Sequence, residues 1–244
     1  MTLGIYGLGR FGAWWAGELG KVFEVCAYSR SPERICPPRV RRVSEEELLS
    51  TDVIILCPAI SALENVLRRI APRLKPDTLV MDTCSVKVHP SRAMLSILPE
   101  TVHILGTHPM FGPDSAANGL RGLPLVYSPL RMPDSLADLW RAHFQSLGLK
   151  IIEMSPEQHD REAARTQGIT HFIGRVLGEM KLASSPIATT GYKRLLDIIA
   201  QTCHDPWQLF CDLQNYNQYT AQIREELHTA IEKMMKQLNI REDM

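Results

Sequence analysis

The stretch LGIYGLGRFGAWWAGELGKVF, residues 3–23, sets the expectation for the fold. A short apolar run, LGIY, leads straight into glycines at 7, 9 and 12, and a helix-like segment follows at once. In that context each glycine has a task. Gly7 makes the tight turn, Gly9 lets a pyrophosphate approach the backbone, and Gly12 lets the helix pack against the strand. The free N–H groups of the helix N-terminus then face a phosphate, with Arg10 and Phe11 in the same cradle. The alternative is a glycine-rich turn that holds no ligand.

Working outward, FEVCAYSR (23–30) reads as the second strand. A site for NAD would normally end that strand with Asp or Glu to bind the ribose 2′-hydroxyl. Here Tyr28, Ser29, Arg30 and Ser31 stand there instead, so the strand end offers a guanidinium and hydroxyls, groups suited to a 2′-phosphate. The expectation is NADP in preference to NAD, with a solvated Arg30 as the alternative. The pattern continues with the acidic SEEELLS, an apolar strand DVIILCP (52–58), an amphipathic helix and a strand TLVMDTCS (78–85). Strands alternating with helices predict an α/β, Rossmann-type, doubly wound parallel sheet, whose ligands lie beyond the carboxyl ends of the strands.

Three segments fall at those ends: Cys57-Pro58, DTCSVK with Ser85 and Lys87, and THPM with His108 just past an apolar run. They are expected to converge on the nicotinamide. An isolated histidine is otherwise a hydrogen-bonded structural residue. PPRVRR (37–42) is short, broken by proline and followed by acidic residues, and reads as a solvated loop.

Composition narrows the partners. Lys plus Arg equals Asp plus Glu at 27 each, so no overall field favours nucleic acid or an anionic membrane. The six cysteines form no CxxC pair and several lie in apolar runs, which fits a reducing, cytoplasmic setting and no metal site. No signal-like N-terminus and no membrane-length apolar run is present in the sequence. A small-molecule substrate is the expected partner.

Strand and helix cease to alternate after KIIEM (150–154), so the expected domains are 1–154, binding the dinucleotide, and 155–244, all helical. SPEQ supplies a Ser N-cap, Pro at the first helical position and Gln at the capping-box position, so a helix starts at Ser155 and runs through HDREAARTQGITHFIGRVLGEM. On it Gln167 and His171 are four apart and share a face. Tyr216, Tyr219, Ile223, Leu227, Ile231, Met234 and Leu238 then form a stripe at helical spacing. A helical unit this small is expected to pack on a neighbour or on a twin, giving a homodimer through the C-terminal helices.

GLGRFG, DTCSVK, GTHPMFGP, MSPEQHD and QGITHF, in this order and approximate spacing, make the chain resemble the prephenate and arogenate (cyclohexadienyl) dehydrogenases of tyrosine biosynthesis over nearly its whole length. The resemblance implies oxidative decarboxylation of prephenate or a close cyclohexadienyl analogue. His108 matches the family's catalytic histidine, which accepts the proton of the ring hydroxyl. Ser85 matches the serine that hydrogen-bonds in that arrangement, and His171 a substrate-binding histidine. At the position of the family's carboxylate-binding arginine this chain has Asp197, which leaves Lys193 and Arg194 as cations within one helical turn. At this length no fused mutase or regulatory domain is expected. Two other readings stay open: an NADP-dependent β-hydroxyacid dehydrogenase, which would be expected to place a catalytic lysine where segment 162–178 has none, and a dinucleotide-binding regulator without turnover.

Overall fold

A computed structural model describes residues 1–239, with the backbone alone for Asn239. The chain divides into two compact units, Met1–His159 and Asp160–Met244.

The first unit is built on a single eight-stranded sheet. Its elements in chain order are β1 (Thr2–Tyr6), α1 (Arg10–Leu19), β2 (Glu24–Tyr28), β3 (Val40–Arg42), α2 (Glu45–Leu48), β4 (Val53–Leu56), α3 (Leu63–Ile70), β5 (Leu79–Asp82), α4 (Val88–Ile97), β6 (His103–Pro109), β7 (Pro124–Arg131), α5 (Asp134–Ser146) and β8 (Lys150–Glu153). The strand order is β3-β2-β1-β4-β5-β6-β7-β8, and the strands from β3 to β6 are all parallel. This is the expected Rossmann-type arrangement. On one face of the sheet Leu3, Ile5, Val25, Val53, Ile55, Leu79 and Met81 alternate into a core shared with Trp15 and Leu19 of α1 and Trp140 and Phe144 of α5. Alternate residues share a face because the strand period is two.

Three local expectations are corrected. PPRVRR is not wholly a loop: Val40–Arg42 forms the edge strand β3, with Arg42 opposite Ala27 of β2. His108 does not lie past its strand but within β6, opposite Val126. Finally, β7 runs antiparallel to β6, and β8 is parallel to β7, so the last two strands run against the rest. An antiparallel return needs no crossover helix, and residues 110–123 supply turns alone.

The second unit is helical: the rest of α6 (Pro156–Ala163), a π-helical turn at Ala164–Gly168, then α7 (Ile169–Glu179), α8 (Thr190–His204), α9 (Trp207–Tyr216) and α10 (Thr220–Asn239). The predicted start holds, since Ser155 N–H donates to Gln158 Oε1 at 2.9 Å and Gln158 N–H to Ser155 Oγ at 3.2 Å, a reciprocal capping box. The long helix runs on from there without a break, but a π-helical turn at 164–168 lies within it, and Gln167 falls in that turn while His171 follows in α7. The stripe from Tyr216 to Leu238 is divided. α9 ends at Tyr216 and α10 begins at Thr220, and in the turn between them Tyr219 N–H donates to Asn217 Oδ1 at 3.0 Å. Close packing of α7 on α8 depends on glycine: a Cβ at Gly174 would stand 2.2 Å from Thr202 Oγ1.

Candidate active site

The glycine loop has the form a pyrophosphate needs. Gly7 has φ +111°, and its N–H donates to Tyr28 O at 2.8 Å, which turns the chain from β1 toward α1. A Cβ at Gly12 would lie 2.0 Å from Gly7 O, so only glycine lets α1 approach β1 this closely. Gly9 is the N-cap of α1, no side chain caps that end, and a Cβ built there meets nothing within 4 Å. An uncapped helix N-terminus above an open glycine is a fitting seat for a dinucleotide pyrophosphate. Arg10 and Phe11 have other uses for their side chains. Arg10 forms an ion pair with Asp114, and Phe11 packs on Trp14 and Trp15. Both stand in the first turn of α1, where the backbone N–H groups have no side-chain cap.

Ser29, Arg30 and Ser31 follow β2 directly, with Arg30 exposed and Ser31 N–H donating to Ser29 Oγ at 3.3 Å. A second guanidinium shapes this loop. Arg42 on β3 donates from Nη2 to Ser31 O at 2.9 Å and to Ser29 O at 3.4 Å, and from Nη1 to Arg34 O. Nothing in the composition of PPRVRR singles it out; only the pairing of β3 with β2 brings Arg42 to the loop after β2.

The carboxyl ends of β4, β5 and β6 carry the remaining residues. Cys57 packs against the glycine loop, where its backbone O would be 3.0 Å from a Cβ at Gly7, and burial pushes its thiol up to about 12. It is a neutral spacer at physiological pH. Pro58 follows it at the strand end. Lys87 differs from its expected place at the nicotinamide: its side chain is wholly buried, paired with Asp82, and donates to Thr107 O at 2.6 Å. Asp82 Oδ1 accepts from Thr107 N–H at 3.2 Å, and its Oδ2 accepts from Cys84 N–H at 2.9 Å. The pair therefore ties the β5–α4 loop, which carries Ser85, to the strand that carries His108. Ser85 is 7% exposed and its Oγ has no hydrogen-bond partner. An unsatisfied buried hydroxyl costs about 1–3 kcal/mol unless something occupies it. His108 is 4% exposed, and its Nδ1 lies 2.8 Å from Nε2 of His159, a residue the sequence reading missed.

In the helical unit Gln214 Nε2 donates to Gly168 O, at the end of the π turn, at 2.8 Å, and Arg224 Nη1 holds Gln214 Oε1 at 2.7 Å. Gln167 Oε1 and His171 Nδ1 are both buried without a partner. Burial holds the His171 imidazole below its usual range, Asp205 opposes that shift and Arg175 adds to it. A neutral ring with an unfilled nitrogen can donate to or accept from a polar ligand. Lys193, Arg194 and Asp197 lie exposed on α8. Among the described residues no group of three or more His, Cys, Asp or Glu could hold a metal ion, and no helix is long and apolar enough to cross a membrane.

Comparison with known proteins adds a family. A model of the prephenate dehydrogenase nucleotide-binding domain matches residues 40–152, and one of a TYRAAT1-like C-terminal domain matches 176–244. Arogenate dehydrogenase 2, chloroplastic, of Arabidopsis thaliana is 41% identical over 193 residues, covering 77% of this chain and 54% of that protein. The chain thus spans about half the length of that curated relative. Among solved structures, prephenate dehydrogenase from A. aeolicus in complex with hydroxyphenyl propionate and NAD+ superposes with a TM-score of 0.78 at 18% identity, covering 99% of this chain and 91% of that one. Synechocystis arogenate dehydrogenase superposes at 0.71 with 21% identity, covering 99% and 93%. At these identities the superpositions speak for the fold.

Proposed function

Because the chain belongs to the prephenate/arogenate dehydrogenase family, we propose that it oxidatively decarboxylates prephenate, arogenate or a close cyclohexadienyl analogue, with NADP preferred over NAD. The observation that carries the reading is that a buried histidine near the carboxyl end of β6 and a buried, unpartnered serine hydroxyl just after β5 belong to neighbouring parallel strands. Oxidising a ring alcohol requires the hydroxyl proton to leave as hydride departs from the same carbon. A neutral imidazole suits the first task near pH 7.

The bound nicotinamide would supply the hydride acceptor. Gly7, Gly9 and Gly12, with the N–H groups of Arg10 and Phe11, would hold its pyrophosphate, and Ser29, Arg30 and Ser31 the 2′-phosphate. Cys57 and Pro58 wall the site at the end of β4. His108 accepts the hydroxyl proton, and Ser85 donates to or accepts from the same oxygen, filling its orphaned hydroxyl. Gln167 and His171 contribute polar contacts to the substrate. Lys193 and Arg194 are the cations proposed for its ring carboxylate, the guanidinium being the better fit because it grips a carboxylate with two parallel bonds. Loss of that carboxylate as carbon dioxide leaves an aromatic ring, which makes the step effectively irreversible.

The reading includes a homodimer through the C-terminal helices. Ile231, Met234, Met235 and Leu238, at spacings of three and four along α10, are 50–63% exposed in the single chain. The β-hydroxyacid dehydrogenase and inactive-regulator readings are tested by the same experiment: turnover of prephenate, arogenate and a 4-amino analogue, each with NAD and NADP. Arogenate comes first, since the Arabidopsis relative is named for it. Turnover of none of the three would overturn the proposal.

A further inference from the structure

His159 is 2% exposed, it stands 51 positions from His108, and its Nε2 meets Nδ1 of His108 at 2.8 Å with the rings inclined at 69°. Two neutral imidazoles at that distance share one proton, so one nitrogen donates and the other accepts. If His159 donated, neutral His108 would carry its own proton on Nε2 and would have no lone pair left with which to take another. If His108 donates from Nδ1, its Nε2 carries no proton. Only the second arrangement makes a base.

We propose that His159 is the positioning residue of the site: its Nε2 accepts a hydrogen bond from His108 Nδ1–H and so fixes the tautomer in which His108 Nε2 carries no proton and can receive that of the substrate hydroxyl. The inference rests on the proposed dehydrogenase reading for its chemical purpose, while the tautomer itself is a property of the protein alone. In the step that His159 supports, the substrate O–H bond breaks, its electron pair stays on the substrate and the proton binds His108 Nε2. His108 is then an imidazolium that still donates from Nδ1 to His159, a charge-assisted bond stronger than the neutral one it replaces. This is the work a carboxylate does behind a catalytic histidine elsewhere.

Both partners stand on rigid supports. His159 N–H donates to Ser155 O at 2.9 Å in the first turn of α6, which the capping box pins. On the other side, Thr107 is held through its N–H by Asp82 and through its carbonyl by Lys87, so the strand bearing His108 has little freedom to rotate.

The test combines a tautomer measurement with kinetics. Nitrogen-15 NMR of the histidine-labelled, substrate-free protein should show His108 protonated at Nδ1 and bare at Nε2. His159→Gln keeps an acceptor oxygen and should stay within about tenfold of the wild-type kcat, whereas His159→Leu should lose about a hundredfold in kcat with KM for both substrates little changed. In the leucine variant His108 should become a mixture of tautomers. A wild-type His108 protonated at Nε2 would overturn the proposal, and so would full kcat in His159→Leu. The tautomer readout decides it whether or not a cyclohexadienyl acid is turned over, so failure of the substrate reading and failure of this one are separate results.

Discussion

Lys87 and Asp82 form an ion pair in which both side chains are completely shielded from solvent, and both also bind the backbone of Thr107, the residue before His108. Lys87→Met strands a buried carboxylate and should cost about 3–5 kcal/mol of stability, whereas replacing both partners with apolar residues of similar volume should cost far less. Thermal unfolding of the single and double variants measures the difference. Equal losses would show that the pair is not coupled.

His108→Asn should bind NADP with wild-type affinity and lose about 10²- to 10⁴-fold in kcat, the range for a positioned general base. Equilibrium cofactor titration alongside steady-state rates separates the two. A variant with most of its kcat intact would remove His108 from the chemistry.

Arg30→Ala should weaken NADP binding by one charge-assisted contact, about 1.5–3 kcal/mol, or roughly ten- to a hundredfold, and leave NAD binding nearly unchanged. Arg42→Ala removes the donor that holds the carbonyls of Ser29 and Ser31, so it should also narrow the preference for NADP while loosening the loop. The ratio of kcat/KM for the two cofactors is the readout.

His171 titrates below the ordinary imidazole value of 6.5 because it is buried. Above that pH the ring is neutral in both folded and unfolded chains and contributes no pH dependence. As the pH falls through 6.5 the unfolded chain takes up the proton first, so stability should fall progressively with acidity until the folded-state value is passed. Comparing unfolding midpoints at about pH 7.5 and about pH 5.5, the wild type should lose more than His171→Gln. An identical loss in the two proteins would contradict the shift.

Light scattering should give about twice the 27.5 kDa chain mass at micromolar concentration. Met234→Glu with Leu238→Glu, placed on the exposed face of α10, should shift the population toward the monomer. A monomeric wild type would overturn the dimer.

Much of the site was legible because it obeys local rules. Gly7 and Gly12 are dictated by a turn and a helix contact that both lie within one strand–turn–helix unit, Gly9 caps the helix of that unit, and Ser155 and Gln158 declare their helix start by spacing alone. His108 was legible as a candidate from the apolar run before it, though not as a residue inside the strand. What placed it inside was the antiparallel return of β7, which lengthens β6 by pairing as far as Pro109. The π turn was invisible for a related reason: an inserted residue in a helix leaves no compositional trace, and the Gln214 side chain that reaches Gly168 O at its end comes from a separate helix.

By itself the sequence determined the alternation of strands and helices, the glycine cradle, the absence of an acidic residue at the end of β2 and the change to an all-helical second half. Each of these is a matter of periodicity or of backbone freedom over a few residues, which the chain carries with it wherever it goes. Tertiary structure alone decided that Arg42 reaches the loop after β2, that Lys87 is buried against Asp82 rather than exposed to a ligand, and that His159 meets His108. Those relations depend on strand order and on which side chains are driven out of water together. A buried polar group must find its partner within about 3 Å, and distance along the chain places no limit on where that partner comes from.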